Sequence, residues 1–280
     1  MGKFTNSWNL LKQSWAILKQ DKEIIWFPVL SLTLNALICV LILVPLLRLH
    51  PAGTQPNSSI LILYAAAMFI LYLLTSLVKA FFEAAIVSCA ALRLNGHDPT
   101  FTDGLVKAKD RILKLVSWAF IDGSVRFFLV MLRGNQEKKK HYLLQYLGDL
   151  LEIAWSMVTF LVIPVLMFEN LNVIDSIKKS AALFKKTWGE VAIATFSIGI
   201  IIFVLTLLLL IPEFIILALY HSFPVVVLLI AVTLVYIIIL SSIVESLQAV
   251  YKAALYLYAA SGKIVEGFDP ELITGAFRKK

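Results

Sequence analysis

Charged side chains stand inside several apolar runs of this 280-residue sequence, where they could carry out chemistry or hold helices together. Ionisable groups in such runs can relay protons, face a substrate or pair with one another. We predict that six of them form an intramembrane polar seam, and a purely structural role, with some of them reaching out to water, remains the alternative. The six are Lys79, Glu83, Asp122, Arg126, Glu152 and Glu245.

The spacing of these residues predicts which of them share a helix face. Lys79 and Glu83 are four residues apart, and so are Asp122 and Arg126, which places each pair on one side of a helix. Glu152 could complete a polar patch with Asp122 and Arg126. The patch could be a buried relay or substrate-facing surface, or a structural seam.

The sequence offers little for enzymatic chemistry. It has no Gly-rich phosphate loop and no nucleophile elbow. Its two cysteines lie within apolar runs, and its four histidines lie in separate loops, so no metal-ligand spacing exists. We predict no catalytic residue, no cofactor and no metal, and a protein that is not an enzyme.

The composition indicates the setting in which these charges must act. The chain is 60% hydrophobic and 15% charged, with a mean hydropathy of +0.87. Soluble domains are about 45–50% apolar and about 25% charged. This excludes soluble, disordered and disulfide-scaffold proteins. It predicts an all-α, polytopic membrane helix bundle.

Six apolar runs are long enough to cross a bilayer, which takes about 20 residues of helix. They are 24–47, 60–92, 113–132, 150–168, 191–211 and 225–243. The third is the most polar. We predict an amphipathic cytoplasmic or interfacial helix over 1–23, a single six-span membrane domain over 24–260 and a basic cytoplasmic tail over 261–280.

The distribution of positive charge predicts the orientation. With the N-terminus inside, sixteen of the 25 Lys and Arg residues fall in inside segments, five outside and four within spans. Because Lys and Arg collect on the cytoplasmic side, this predicts a multi-pass inner-membrane protein with both termini cytoplasmic. The exception is Lys138–Lys140. Either that loop is tolerated outside, or the third and fourth segments do not cross fully.

An internal repeat relates the second and sixth spans. Thr75–Val78 matches Ser241–Val244 without a gap, and both copies run in the same direction, so the repeat is parallel. The first copy, Leu63–Gly96, is about 51 Å long as a helix against a hydrocarbon core of about 30 Å, and should project into the cytoplasm. Lys79 and Glu245 hold equivalent positions with opposite charge. We predict an ion pair between them, or alternatively that both snorkel at the inner interface.

Basic amphipathic juxtamembrane helices precede the odd-numbered spans. The first carries an apolar stripe from Phe4 to Leu18 with lysines beside it, and similar stripes begin at Leu105 and Ile177. A truncated fourth copy covers Leu272–Lys280. For the second and third helices the predicted N-caps are Thr102 or Asp103, and Asp175.

Such helices suit an anionic membrane surface, which attracts each basic residue by about 1 kcal/mol. The alternative is that the stripes pack against the protein itself. The candidate lipid-contact residues are Trp8, Lys12, Trp15, Lys19, Lys178 and Lys185.

Several short motifs resemble those of an uncharacterised family of prokaryotic six-span membrane proteins. They are Ser14-Trp15, Asp21-Lys22-Glu23, Phe27-Pro28, Ala154-Trp155, Thr159-Phe160, Ile163-Pro164-Val165, Phe168-Glu169-Asn170, Lys179-Ser180-Ala181, Phe184-Lys185 and Thr187-Trp188-Gly189-Glu190. A more distant likeness is to the membrane domain of some glycerophosphodiester phosphodiesterases. The resemblance implies a topology but no activity and no site residue.

The sequence therefore favours a non-catalytic membrane scaffold or accessory protein that contacts anionic lipid. The alternative is a small transporter or channel for a lipid or small solute, which a solvated cavity at Asp122, Glu83 or Glu245 would favour. An intramembrane enzyme is third. The expected partners are membrane lipids and not nucleic acid. A protein partner or a homo-oligomer is left open.

Overall fold

A computed structural model describes residues 3–49, 57–133, 142–220 and 222–261. Within these ranges the chain is helical and contains no strand. The predicted all-α polytopic class is therefore confirmed. The helices are α1 Lys3–Gln20, α2 Trp26–Leu49, α3 Ser58–Leu94, α4 Phe101–Asp110, α5 Ile112–Arg133, α6 Tyr142–Val158, α7 Val162–Phe168, α8 Val173–Leu219 and α9 Phe223–Ser261, with a 3-10 helix Lys22–Ile25 before α2.

Six stretches of the described chain are long and apolar enough to cross a membrane. They are Lys22–Arg48, Ser58–Leu94, Ile112–Leu132, Tyr146–Phe168, Ile198–Leu219 and Phe223–Ala260. Each overlaps one of the six predicted spans, the polar third included. The orientation of the chain remains a prediction, as does the side of the membrane on which Lys138–Lys140 lies. The described residues do not include that loop or the tail at 262–280.

The chain divides into two compact units. Unit 1 comprises Met1–Val29, Cys89–Pro99 and Lys185–Lys280, and unit 2 comprises Leu30–Ser88 and Thr100–Phe184. The α3 helix contributes to both. The prediction of a single membrane domain over 24–260 is not tested by this division and stays a prediction.

In unit 1, α1 packs on α9 and on the 3-10 helix. Ser14, Ile17 and Leu18 of α1 are buried, whereas Trp15 keeps 38% of its surface exposed. The predicted apolar stripe is thus divided between protein packing, which takes Leu18, and an outward face, which carries Trp15. Packing against the protein therefore accounts for Leu18, and lipid contact at Trp15 remains a prediction.

The N-terminus of α4 is capped by Thr100 rather than by the predicted Thr102 or Asp103. The Thr100 hydroxyl accepts the Asp103 backbone N–H at 3.3 Å, and the Asp103 carboxylate accepts the Thr100 backbone N–H at 2.8 Å. This is a capping box, in which Asp103 is the third helical residue. The Thr100 side chain also donates to Asp103, and these bonds lower the pKa of Asp103 below its ordinary value.

The third amphipathic segment is the first part of α8, which runs without interruption from Val173 to Leu219. Asn172, not the predicted Asp175, accepts the first-turn N–H, at 2.8 Å from the Asp175 nitrogen. The prediction of a separate helix before the fifth span was wrong in this respect. Gly189 stands between the amphipathic segment and the apolar one, and the helix continues through it.

The fourth span is broken between α6 and α7. Residues 159–161 form a turn, and Pro164 follows within the first turn of α7. Proline has no N–H and its ring crowds the carbonyl four residues earlier, which here is that of Phe160. The freed Leu161 N–H donates to the Ser180 hydroxyl of α8 at 3.0 Å, and both residues are buried. The Ser180 side chain thus accepts a backbone N–H that has lost its helical partner at the break.

Candidate functional site

A buried carboxylate lies at the centre of unit 2. Asp122 of α5 is 5% exposed. Its Oδ2 accepts the Ser76 hydroxyl at 2.7 Å and the Arg126 Nε–H at 2.8 Å, and its Oδ1 accepts the Trp155 indole N–H at 2.9 Å. These four residues, called the Asp122 cluster below, join α3, α5 and α6.

Close packing surrounds the Asp122 cluster. The Trp118 ring lies one turn before Asp122 and stacks on Trp155 with centroids 6.0 Å apart and planes 16° apart. Next to Asp122, a methyl group added at Gly123 would lie 3.0 Å from the Leu73 Cα atom, so α5 and α3 approach through a position without a side chain. The cluster is therefore held between closely spaced helices.

The sequence and the structure agree on part of this site. The predicted Asp122–Arg126 pair is present, as an ion pair at 2.8 Å. Glu152 lies three residues before Trp155 on α6 and is half-buried, and its place in the polar patch remains a prediction. Ser76 and Trp155 were not predicted. Both stood in motifs already noted, Ser76 in the repeat and Trp155 in the Ala154-Trp155 resemblance motif.

The remaining predicted seam residues lie elsewhere. Lys79 is exposed and Glu83 half-buried on α3 in unit 2, and Glu245 is half-buried on α9 in unit 1. The Lys79–Glu245 ion pair would join the two units, and it stays a prediction. The described contacts pair Asp122 with Arg126, and a seam formed by all six residues remains a prediction.

Charged residues also gather beside the turn that follows α7. The Lys114 ammonium donates to the Glu169 backbone carbonyl at 3.0 Å, and the Lys179 ammonium to the Glu169 carboxylate at 2.5 Å. The Asn170 side-chain oxygen accepts Arg111 at 3.3 Å. This turn was singled out only as part of the Phe168-Glu169-Asn170 resemblance motif.

A second unpredicted ion cluster lies in unit 1. The Arg93 guanidinium, near the end of α3, donates through Nε and Nη2 to both carboxylate oxygens of Asp21 and also contacts Asp98. Asp21 is 7% exposed. A two-pronged arginine–carboxylate contact fixes orientation as well as charge. It therefore holds the start of the first span to the end of α3.

Glu213 is another carboxylate within a membrane span, on α8. Both of its oxygens lie within hydrogen-bonding distance of the Thr233 hydroxyl, at 2.9 and 2.7 Å. The two residues line an otherwise apolar cavity of about 390 Å³ between α8 and α9. The sequence places Glu213 at the end of an apolar run but does not indicate its partner.

The candidate lipid-contact residues that can be placed lie on the surface. Lys12, Trp15 and Lys19 are exposed on α1, and the Lys19 ammonium lies 5.5 Å from the Trp15 ring centroid. Lys178 and Lys185 are exposed on α8, and Lys178 pairs with Asp175 at 3.1 Å. The side chain of Trp8 lies outside the described part of the structure.

Within the described residues, no group of three or more His, Cys, Asp or Glu side chains could hold a metal ion. Cys39 and Cys89 are not joined in a disulfide. The expectations of no cofactor and no catalysis remain predictions.

A model described as "Family of unknown function (DUF6159)" matches residues 62–267, from α3 into the segment after α9. No curated protein matches the chain. The more distant likeness to the membrane domain of glycerophosphodiester phosphodiesterases remains a prediction.

Proposed function

This chain belongs to the DUF6159 family, whose function is unknown, and we propose from its geometry that it is a non-catalytic membrane scaffold or accessory protein. In this proposal the charged residues of the spans hold helices together. The basic helices contact the anionic lipid of the cytoplasmic leaflet of the inner membrane.

The Asp122 cluster is the observation that carries the proposal. A carboxylate that relays protons or binds a solute must be reached by water or by that solute. Asp122 instead accepts three hydrogen bonds from side chains on three helices, and the stacked indoles pack beside it. This supports a structural role for the cluster.

The exposed cations support the lipid contact. Lys12 and Lys19 flank Trp15 on the outward face of α1, as expected of a helix at the membrane interface, where an indole lies among headgroups and lysines meet their phosphates. Lys178 and Lys185 lie on the part of α8 that precedes its apolar span.

Proton flux distinguishes a scaffold from a conducting protein. The full chain is reconstituted into phosphatidylglycerol-containing vesicles with a trapped pH dye, and a potassium diffusion potential is applied. We expect proton uptake equal to that of protein-free vesicles. Uptake that depends on the protein and is abolished by Asp122→Asn would overturn the proposal.

Lipid preference is tested separately by native mass spectrometry of protein released from mixed vesicles of phosphatidylglycerol and phosphatidylcholine. We expect enrichment of phosphatidylglycerol that falls in the variant Lys12→Gln, Lys19→Gln, Lys178→Gln, Lys185→Gln. The matched control is Lys79→Gln, which removes an exposed charge inside a span. An unchanged lipid ratio in the quadruple variant would contradict the assigned contacts.

One observation favours the alternative, a small transporter. Glu213 lines a cavity of about 390 Å³ between two spans, and a carboxylate at such a place can bind a proton or a cation. The flux assay addresses this as well. Uptake abolished by Glu213→Gln but retained in Asp122→Asn would favour transport through the α8–α9 region.

A further inference from the structure

A cleft in unit 2 combines cations with an apolar wall at one end of a membrane span. Its volume is about 410 Å³, within the range of small-ligand sites. It is lined by residues from α3, from α4 and its C-cap, and from the end of α7, namely Ser88, Lys107, Asp110, Arg111, Met167 and Phe168. None of these is among the six lipid-contact residues considered above.

The charged side of the cleft suits an oxyanion. Lys107 is on the last turn of α4, Arg111 is the C-cap of that helix, and both cations line the cleft. One of the five N–H donors of an arginine is used here in the bond to Asn170, which anchors the Arg111 guanidinium. An anchored guanidinium next to an ammonium is a favourable arrangement for phosphoryl oxygens. Asp110 is the one carboxylate in the lining.

The apolar side of the cleft favours contact with the hydrocarbon part of a ligand over contact with water. Met167 is 7% exposed and Phe168 is 37% exposed, so the wall begins in the packed end of α7 and extends outward at Phe168. Ile112, next to Arg111, begins the third membrane-spanning stretch. A ligand with a charged head and an attached hydrocarbon would therefore meet matching surfaces at the level where lipid headgroups lie.

We propose that this cleft binds the phosphate group of an anionic phospholipid, with Lys107 and Arg111 on the phosphoryl oxygens and Phe168 against the glycerol and first acyl carbons. The proposal rests on the membrane setting of the proposed function, and it names one lipid site instead of a general surface attraction. A free phosphate ester shares the charged half of this chemistry but lacks the carbon that Phe168 would contact.

Binding is measured with the full chain in phosphatidylcholine nanodiscs, as the thermal stabilisation produced by a ligand. The probes are short-chain phosphatidylglycerol, glycerol phosphate and inorganic phosphate. We expect stabilisation by phosphatidylglycerol. Lys107→Gln and Arg111→Gln should each weaken the affinity for phosphatidylglycerol about tenfold, which corresponds to the loss of one charge-assisted contact.

Three variants sharpen the result. Lys109→Gln removes an equal charge from the same helix outside the cleft and should leave the affinity unchanged. Asp110→Asn should tighten binding, because it removes the carboxylate that faces the anion. Arg111→Lys keeps the charge and should bind better than Arg111→Gln, which separates anion binding from any loss of folding at Asn170.

The outcomes are distinct. Stabilisation by phosphatidylglycerol alone identifies a lipid site, and stabilisation by all three probes with the same dependence on Lys107 identifies a phosphate site that does not need the lipid carbon. The first supports the proposal and the second overturns its lipid assignment. Equal phosphatidylglycerol binding by the wild type, Lys107→Gln and Arg111→Gln would overturn it altogether. None of these results depends on the flux assay, which tests the scaffold function separately.

Discussion

Two of the carboxylates in the membrane spans of this protein, Asp122 and Glu213, lie in opposite surroundings. Asp122 accepts bonds from a hydroxyl, a guanidinium and an indole, in a region where α5 and α3 approach at Gly123. Glu213 has the Thr233 hydroxyl beside an apolar cavity. The most apolar windows of α8 and α9 contain no buried residue, whereas a third of that of α5 is buried. A carboxylate therefore joins closely packed helices at Asp122, whereas at Glu213 it lies in a region where the helices leave space.

The largest effect is expected at Asp122. Asp122→Ala leaves Arg126 without its ion-pair partner and removes the acceptor for Ser76 and Trp155. We expect the free energy of unfolding to fall by about 3 kcal/mol, the lower end for a broken buried pair, because Arg126 is 36% exposed. Glu213→Ala should cost about 1 kcal/mol, as for a single hydrogen bond. Denaturation in neutral micelles measures the free energy of unfolding of both variants. Equal losses would show that the two carboxylates do not differ in their contribution to packing.

The next prediction concerns alanine substitutions at two glycines, which should change the stability in opposite directions. A methyl group at Gly123 would lie 3.0 Å from backbone atoms of Leu73 and Tyr72, so Gly123→Ala should cost about 1–3 kcal/mol. Gly199 of α8 has nothing within 4 Å of the same position. Gly199→Ala should therefore be neutral or stabilise by up to about 1 kcal/mol through helix propensity. Thermal unfolding midpoints of the two variants test this prediction. A higher midpoint for Gly123→Ala would show that α5 and α3 are not close.

A smaller loss is expected at the broken fourth span. Ser180→Ala removes the acceptor of the buried Leu161 N–H, and we expect a loss of about 1–2 kcal/mol. The control is Ser117→Ala, since the exposed Ser117 hydroxyl donates only to the Leu113 carbonyl of its own helix. Hydrogen exchange of the amides of residues 159–163 and 165 should accelerate in Ser180→Ala alone. Unchanged exchange there would mean that the α6–α7 turn does not need α8.

The smallest effect concerns the α4 cap and pH. The pKa of Asp103 is lowered by its bonds to Thr100, so its contribution is complete above its unfolded pKa of about 3.9 and is lost as pH falls through the lower folded pKa. Hydrogen exchange of α4, corrected for the pH dependence of the intrinsic amide exchange rate, should be the same at pH 7 and pH 5 and rise only in stronger acid. Asp103→Asn should remove this acid dependence. A rise between pH 7 and pH 5 would contradict it.

The sequence predicts the helices well because apolar runs and stripes are local properties. It also predicts the Asp122–Arg126 pair, because four residues along a helix bring two side chains together. The capping residues Thr100 and Asn172 were missed in favour of acidic or hydroxyl residues a few positions later. Cap choice depends on where the first turn closes, which composition alone does not determine.

Contacts between helices could not be derived in the same way. Ser76 and Trp155 reach Asp122 from positions 46 and 33 residues away, and such pairing depends on helix packing that periodicity does not encode. The break at 159–161 had a local signal, Pro164, but its Ser180 partner lies on another helix. Repeated and resembling motifs contained Ser76, Trp155 and Ser180 without indicating what they contact.

We infer that the Asp122 cluster is a closed structural contact. It is tested most directly by hydrogen exchange of the Trp155 indole N–H, followed by NMR of the full chain with labelled tryptophan and assigned with Trp155→Phe. The indole N–H bonded to Asp122 should exchange far more slowly than that of the exposed Trp15. Exchange of Trp155 at the rate of Trp15 would show that water reaches the cluster, and would contradict the account.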